Sequence, residues 1–154
     1  MDAWSQTAQL QFELGKMEEA LFCYRHVLEF LPNNSECYCN IGYILWQLDQ
    51  NDEAIDAYEV ALSIDTNNAI AKNNLGVIYL DEKHAPEKAI SLFESALNLK
   101  PDYTMASFNR ARSLDQLGRN KEAAKAYTQT KALNAINPEL SDDEIDQHLR
   151  KLFY

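Results

Sequence analysis

The chain contains few of the residues that interrupt helices or cross-link a fold. Only four glycines and four prolines occur among its 154 residues, so long helices are rarely interrupted. Its three cysteines, Cys23, Cys37 and Cys39, are an odd number, which argues against the disulfide framework of a secreted domain. We therefore expect a helical, cytoplasmic protein with reduced thiols.

Long apolar runs and an excess of positive charge are also missing. No stretch approaches the roughly 20 apolar residues that cross a bilayer, so we expect no membrane insertion. The first residues lack the basic stretch and apolar core of a signal peptide. The net charge of −10 argues against nucleic acid as the main ligand, because phosphate binding requires clustered basic residues.

Residue patterns typical of catalysis or metal binding do not occur. His26, His84 and His148 are scattered along the chain, and Cys37 and Cys39 form a C-x-C pair without a second pair of ligands. We expect Cys37 in the core and Cys39 on an accessible surface. There is no glycine-rich phosphate loop. The sequence thus predicts neither an enzyme nor a bound cofactor.

A period of about 34 residues runs through the chain four times. An alanine recurs, and an aromatic residue follows each alanine four positions later: Ala20 and Tyr24, Ala54 and Tyr58, Ala89 and Phe93, Ala123 and Tyr127. A second small residue precedes each alanine by about one helix length: Ala8, Gly42, Gly76 and Ala111. Helical apolar spacing on both sides of a polar turn predicts one antiparallel helix pair per period. The small residues would let the paired helices approach closely, and the aromatic ring would fill the gap toward the next pair.

This pattern resembles the tetratricopeptide repeat family over residues 1–137. The repeats fall at about 1–34, 35–68, 69–103 and 104–137. The resemblance implies an all-α, right-handed α-solenoid of four helix pairs that serves as a protein–protein interaction module. The sequence departs from the pattern at Thr66 and Ala135, where Pro32 and Pro101 close the other repeats. The third repeat has a longer turn, in which Pro86 suits the first turn of the following helix.

Residues 138–154 break the period and predict a C-terminal capping helix. Ser141-Asp142-Asp143-Glu144 is typical of a capping box, and Arg150 and Lys151 suit the last turn. Four apolar residues fall on one face: Ile145, Leu149, Leu152 and Phe153. The helix covers the fourth repeat in one interpretation, and enters a groove of its own or of a neighbouring chain in the other.

The phase of the repeats predicts a concave surface lined by the first helix of each pair. Its predicted peptide-binding residues are Gln6, Asn40, Tyr43, Trp46, Ile70, Asn74, Val77, Met105, Phe108, Asn109 and Arg112. Asn40, Asn74 and Asn109 recur in one phase, which is similar to the asparagine ladder of the O-GlcNAc transferase superhelix. A carboxamide both donates and accepts hydrogen bonds, so one per repeat would hold an extended peptide backbone.

A different groove, the carboxylate clamp of chaperone-binding members of the family, is not expected. Asn40 matches one asparagine of that clamp. At its other positions, where lysine, asparagine, lysine and arginine are required, this chain has Ser5, Gln9, Ile70 and Asn74. The predicted partner is therefore a protein or peptide other than an acidic chaperone tail.

Charge is distributed unevenly along the array. Residues 1–68 carry 12 acidic and 2 basic residues, whereas residues 69–137 carry 7 acidic and 10 basic residues. Such a field could orient a partner, or could join the acidic end of one copy to the basic end of another. The alternatives to a peptide-binding adaptor are a self-assembling structural protein and the targeting domain of a larger enzyme.

Overall fold

The computed structural model describes residues 2–152, and this part of the chain is all-α, with nine helices and no strand. The helices are α1 Asp2–Glu13, α2 Met17–Phe30, α3 Ser35–Gln47, α4 Asn51–Ile64, α5 Ala69–Asp81, α6 Pro86–Leu99, α7 Thr104–Gln116, α8 Asn120–Ile136 and α9 Asp142–Lys151. Pro86 begins α6, as its fixed backbone angle favours. The predicted all-α class is confirmed. Phe153, expected on one face of the last helix, lies outside the described residues.

Two compact units divide the described residues, one up to Ala71 and the other from Lys72 onward. In the first unit α1 packs on α2, and α3 packs on α2 and α4. In the second unit α7 packs on α6 and α8. The repeated alanines Ala54, Ala89 and Ala123 are fully buried, as close helix contacts require.

The aromatic residue of a repeat packs within its own helix pair. A side chain at Gly42 would meet the Tyr58 ring at 3.1 Å, and one at Gly76 would meet Cε1 of Phe93 at 2.6 Å. The rings thus lie over the small residue of the preceding helix. A glycine leaves room for the ring directly opposite. The expectation that the ring also fills the gap toward the next pair stays a prediction.

Left-handed backbone conformations end several of the first helices. Gly15 and Gly118 have φ angles of 72° and 69°, which glycine adopts without steric cost. Asp49 occupies the same place in the second repeat with φ of 59°, a conformation that aspartate tolerates better than most residues. The short polar turns predicted between the paired helices are therefore present, and Asp49 takes the place of the glycine in the second repeat.

Helix α9 covers the end of the second unit. Ile145 is fully buried in a cluster with Phe108, Leu114 and Tyr127, and Leu149 and Leu152 pack against it. Nζ of Lys131 on α8 lies 2.7 Å from Oδ1 of Asp146. The capping role is confirmed. The predicted capping box is wrong, because the Ser141 side chain makes no cap hydrogen bond and acidic residues occupy the positive first turn instead.

His148 lies between α9 and the pair formed by α7 and α8. Its ring stacks on Tyr127 at 5.2 Å between centroids and meets Phe108 edge-on at 5.4 Å. Burial lowers the pKa of His148; Lys151 and Arg112 lower it too, while Asp115 opposes them. The folded chain therefore binds this proton less readily than the unfolded chain does.

Acidification should destabilise the packing of α9, because His148 becomes protonated. The unfolded chain binds the proton near the ordinary histidine pKa of about 6.5, so the free energy of unfolding should fall as the pH drops through that value. Amide hydrogen exchange of α9 at two pH values on either side should show faster opening at the lower pH. His148→Gln should abolish the difference in α9 exchange between the two pH values. If this variant loses as much protection at the lower pH as the unaltered chain does, the effect belongs to another group.

Candidate functional site

A cleft of about 430 Å³ opens in the first unit among α1, α2 and α3. We call it the first-unit cleft. It is lined by Ser5, Gln6, Gln9, Leu10, Glu13, Tyr24, Asn34, Glu36, Cys37 and Asn40. Four lining residues carry carboxamides, namely Gln6, Gln9, Asn34 and Asn40, and two carry carboxylates. Gln6 and Asn40, predicted to contact a peptide, therefore lie at one surface.

A hydrogen-bonded network organises the polar side of this cleft. The Tyr24 hydroxyl donates to Oε1 of Gln9 at 3.1 Å, and Nε2 of Gln9 donates to Oε1 of Glu13 at 2.9 Å. The Asn40 side chain lines the same cleft as Tyr24. Burial raises the pKa of Tyr24 to about 12, with further contributions from Cys37 and Glu36, so the hydroxyl remains a donor at neutral pH. The network holds the Gln9 carboxamide in place.

An aromatic row lies one helical turn further along the same helices. Phe12 follows Gln9 on α1, and Tyr43 and Trp46 follow Asn40 on α3. The Phe12 and Tyr43 rings meet edge-on at 5.5 Å, and the Tyr43 and Trp46 rings meet at 5.9 Å. All three are half-buried, so each presents part of its ring to solvent. Carboxamides and aromatic rings thus adjoin on one surface of the first unit.

Asn73 and Asn109 of the second unit are hydrogen-bonded to other side chains of that unit. Nδ2 of Asn109 donates to Oδ1 of Asn73 at 3.2 Å, and Oδ1 of Asn109 accepts from Arg112 at 3.2 Å. Nδ2 of Asn73 in turn donates to Asn74, and Arg112 lies 2.7 Å from Asp81. The asparagines of the repeated phase therefore differ, since Asn40 borders an open cleft and Asn109 links α7 to α5.

Two predicted peptide contacts do not face outward. Asn109 and Phe108 are each only 3% exposed. Phe108 contacts Tyr127 and His148 instead of solvent, because α9 packs over this part of α7. The outward orientation that we expected for the Asn109 and Phe108 side chains was therefore wrong. The repeat phase could not indicate it, since the covering helix follows the array and has no counterpart in the other repeats.

The remaining predicted contacts keep some exposure. Ile70 is 57% exposed, whereas Val77, Asn74 and Met105 are half-buried. The backbone N–H of Met105 donates to Glu139. Cys39, expected on an accessible surface, is buried like Cys37, and burial raises the pKa of both thiols to about 11. These thiols are therefore protonated core groups at neutral pH.

Sequence reasoning underestimated Tyr24 and did not place Glu36 at the cleft. Tyr24 was recognised only as the packing residue of its repeat, yet its hydroxyl organises the network. The signal was its phase, because a tyrosine four residues after the alanine points its ring at the first helix and its hydroxyl beyond it. Within residues 2–152, no group of three or more His, Cys, Asp or Glu side chains could hold a metal ion.

Sequence profiles of the tetratricopeptide repeat match residues 2–34, 35–68 and 83–135. The chain therefore belongs to the tetratricopeptide repeat family. None of the helices in the described part of the chain is long and apolar enough to cross a membrane.

Relatives with this repeat have different overall roles. The human protein O-mannosyl-transferase TMTC3 is 31% identical over 128 residues, which are 83% of this chain and 14% of that protein. The peroxisomal targeting signal receptor of Candida albicans is 30% identical over 77% of this chain and 20% of the receptor. The first such domain of Spaghetti (RPAP3), bound to the HSP90 peptide SRMEEVD, is 25% identical with a TM-score of 0.70, covering 77% of this chain and 90% of that one. The chain thus spans less than a quarter of these two full-length relatives.

Proposed function

We propose that this chain is a protein-interaction module that binds an extended peptide segment in the first-unit cleft. The observation that carries the proposal is the placement of Gln6, Gln9 and Asn40 around one cleft of about 430 Å³. Family members that bind peptides, such as the Spaghetti domain with its HSP90 peptide, support a peptide as the partner. A cytoplasmic location and the absence of catalysis are part of the same proposal.

The carboxamides suit recognition of a peptide backbone. Each carries two N–H donors and an oxygen with two lone pairs, so Gln9 retains bonding capacity beyond its bonds to Tyr24 and Glu13, and Asn40 borders the open cleft. The bound backbone would exchange hydrogen bonds with these groups whatever its sequence. Because the internal network already fixes the Gln9 side chain, little of its side-chain entropy is lost on binding.

Side-chain selectivity would come from the aromatic row beside the cleft. Tyr43 and Trp46 are amphipathic rings of the type that dominates binding hot spots. A peptide that lies over Asn40 would reach them within one helical turn. Ile70, which is 57% exposed, would add an apolar contact in the first unit. In the second unit Asn74, Val77 and Met105 stay candidate contacts because each is half-buried, whereas Asn109 and Phe108 are excluded by their burial.

The test is the affinity of peptides selected from a random phage-displayed library on the full chain. We expect Gln6→Ala with Asn40→Ala to weaken binding about tenfold while the protein stays folded, because each lost hydrogen bond contributes roughly 0.5–1.5 kcal/mol. Asn98→Ala with Gln147→Ala removes two exposed carboxamides elsewhere and is the matched control. Equal affinity for the cleft variant and this control would place peptide binding outside the first-unit cleft.

Self-association is the second candidate, favoured by the distribution of charge. Residues 1–68 carry 12 acidic and 2 basic side chains, whereas residues 69–137 carry 7 acidic and 10 basic side chains. Association between copies through unlike charges would weaken as salt screens them. A molar mass by light scattering that stays monomeric at low salt over a wide concentration range would exclude self-association.

The third candidate, the targeting domain of a larger enzyme, would fit the small share of TMTC3 that the chain spans.

A further inference from the structure

The charged residues that line the first-unit cleft are all acidic. Glu13 and Glu36 contribute carboxylates, and none of the ten lining residues is lysine or arginine. The cleft lies in a unit that has 12 acidic and only 2 basic residues, so its surroundings do not neutralise it. A ligand that enters is therefore selected by charge before it makes close contacts.

The two carboxylates approach the cleft from different helices. Glu13 is the last residue of α1, and Glu36 lies in the first turn of α3. Both act on the same hydroxyl, since each contributes to the raised pKa of Tyr24. The Glu13 carboxylate is also held by Nε2 of Gln9 at 2.9 Å. Two negative groups therefore converge on the polar end of the cleft.

Helix stability accounts for only one of these glutamates. An acidic residue in the first turn of a helix, such as Glu36, is stabilised by the positive end of the helix dipole. Glu13 is at the negative end of α1, where a carboxylate is disfavoured. The polar network nevertheless fixes it at the cleft, which suggests that its charge serves recognition.

We propose that the first-unit cleft recognises a peptide segment by a positively charged side chain, arginine or lysine, placed between Glu13 and Glu36. This inference rests on the proposed function and names its class of partner. The peptide backbone would pair with Gln6 and Asn40. The aliphatic stem of the cationic residue would lie over Phe12 and Tyr43, whose faces also attract cations. An acidic peptide would be rejected, because the same two carboxylates would repel it.

Four pools of random peptides test the proposal, each with one residue fixed at the centre: arginine, lysine, citrulline or glutamate. Citrulline has nearly the shape of arginine without its charge. Affinity for the full chain is measured for each pool at low and high salt. We expect the arginine and lysine pools to bind about fivefold more tightly than the citrulline pool, with the glutamate pool weakest. Rising salt should reduce this preference, since exposed charges are screened.

Glu13→Gln with Glu36→Gln should remove the preference for the cationic pools while binding of the citrulline pool is retained. Glu53→Gln with Asp56→Asn makes the same change in net charge on exposed positions of α4 and should leave the preference intact. Equal binding of all four pools to the unaltered chain would overturn the charge inference and leave peptide binding standing. Failure of every pool to bind would overturn the proposed function itself, and the charge inference with it.

Discussion

Replacing Phe93 with alanine should lower the free energy of unfolding of the second unit by about 3–5 kcal/mol. The Phe93 side chain is fully buried with Leu80 and Ala89, and Val77 and Tyr79 pack around this cluster. Truncation would remove its apolar surface and leave a cavity that the rigid helix backbones cannot close. Hydrogen exchange of α6 reports the loss locally, which is necessary because repeat arrays need not unfold in one step.

Removal of the Phe93 ring should reverse the effect of a substitution at Gly76. In the unaltered chain, Gly76→Ala places a methyl group 2.6 Å from Cε1 of Phe93, and overpacking of this kind costs about 1–3 kcal/mol. In the Phe93→Ala background the ring is gone, and the methyl group fills part of the cavity and favours the helix. Gly76→Ala should therefore become neutral or stabilising there. An identical cost in both backgrounds would show that the two positions do not touch.

Asn109→Ala should destabilise the second unit by about 1–3 kcal/mol, because it removes hydrogen bonds from the buried Asn73 carboxamide and the part-buried Arg112 guanidinium. Asn73 would lose the amide that donates to its oxygen, and Arg112 would lose an acceptor at 3.2 Å. Ser107→Ala on the same helix is not an adequate control, since its hydroxyl also bonds to Thr130 at 2.7 Å. Urea unfolding followed by hydrogen exchange of α5 and α7 measures the effect.

Asn40→Ala is the informative comparison, because both asparagines occupy the same phase of the repeat. Asn40 borders an open cleft where water can replace its lost bonds, so its truncation should cost well under 1 kcal/mol of stability. Equal destabilisation by the two substitutions would contradict the division between a structural asparagine in the second unit and a recognition asparagine in the first.

Most of the fold could be predicted from the sequence because it depends on local pattern. A small residue and an aromatic residue at fixed spacing define each helix pair, and Pro86 marks the start of α6. The contact between the aromatic ring and the small residue of its own helix pair was not predicted. Which neighbour Tyr58 contacts depends on the space left by Gly42, and a period in the sequence does not encode that distance.

The candidate site was less predictable, because a shared phase does not mean a shared environment. Asn40 and Asn109 have equivalent places in the period, yet only Asn109 has an asparagine partner, Asn73, one repeat away. Phe108 was assigned to a surface because the repeat pattern does not include α9, the helix that buries the Phe108 side chain. Side chains at equivalent positions therefore diverge where non-repeated residues pack on them.

The most direct test of peptide recognition in the first-unit cleft is nuclear magnetic resonance of the side-chain amides during titration with a selected peptide. The resonances of Gln6, Gln9 and Asn40, together with the Trp46 indole, should shift and saturate at one common affinity. The Asn109 amide, buried and bonded to Asn73, should change little. Saturating shifts confined to residues outside the cleft, with the Gln6, Gln9 and Asn40 amides unmoved, would contradict the account.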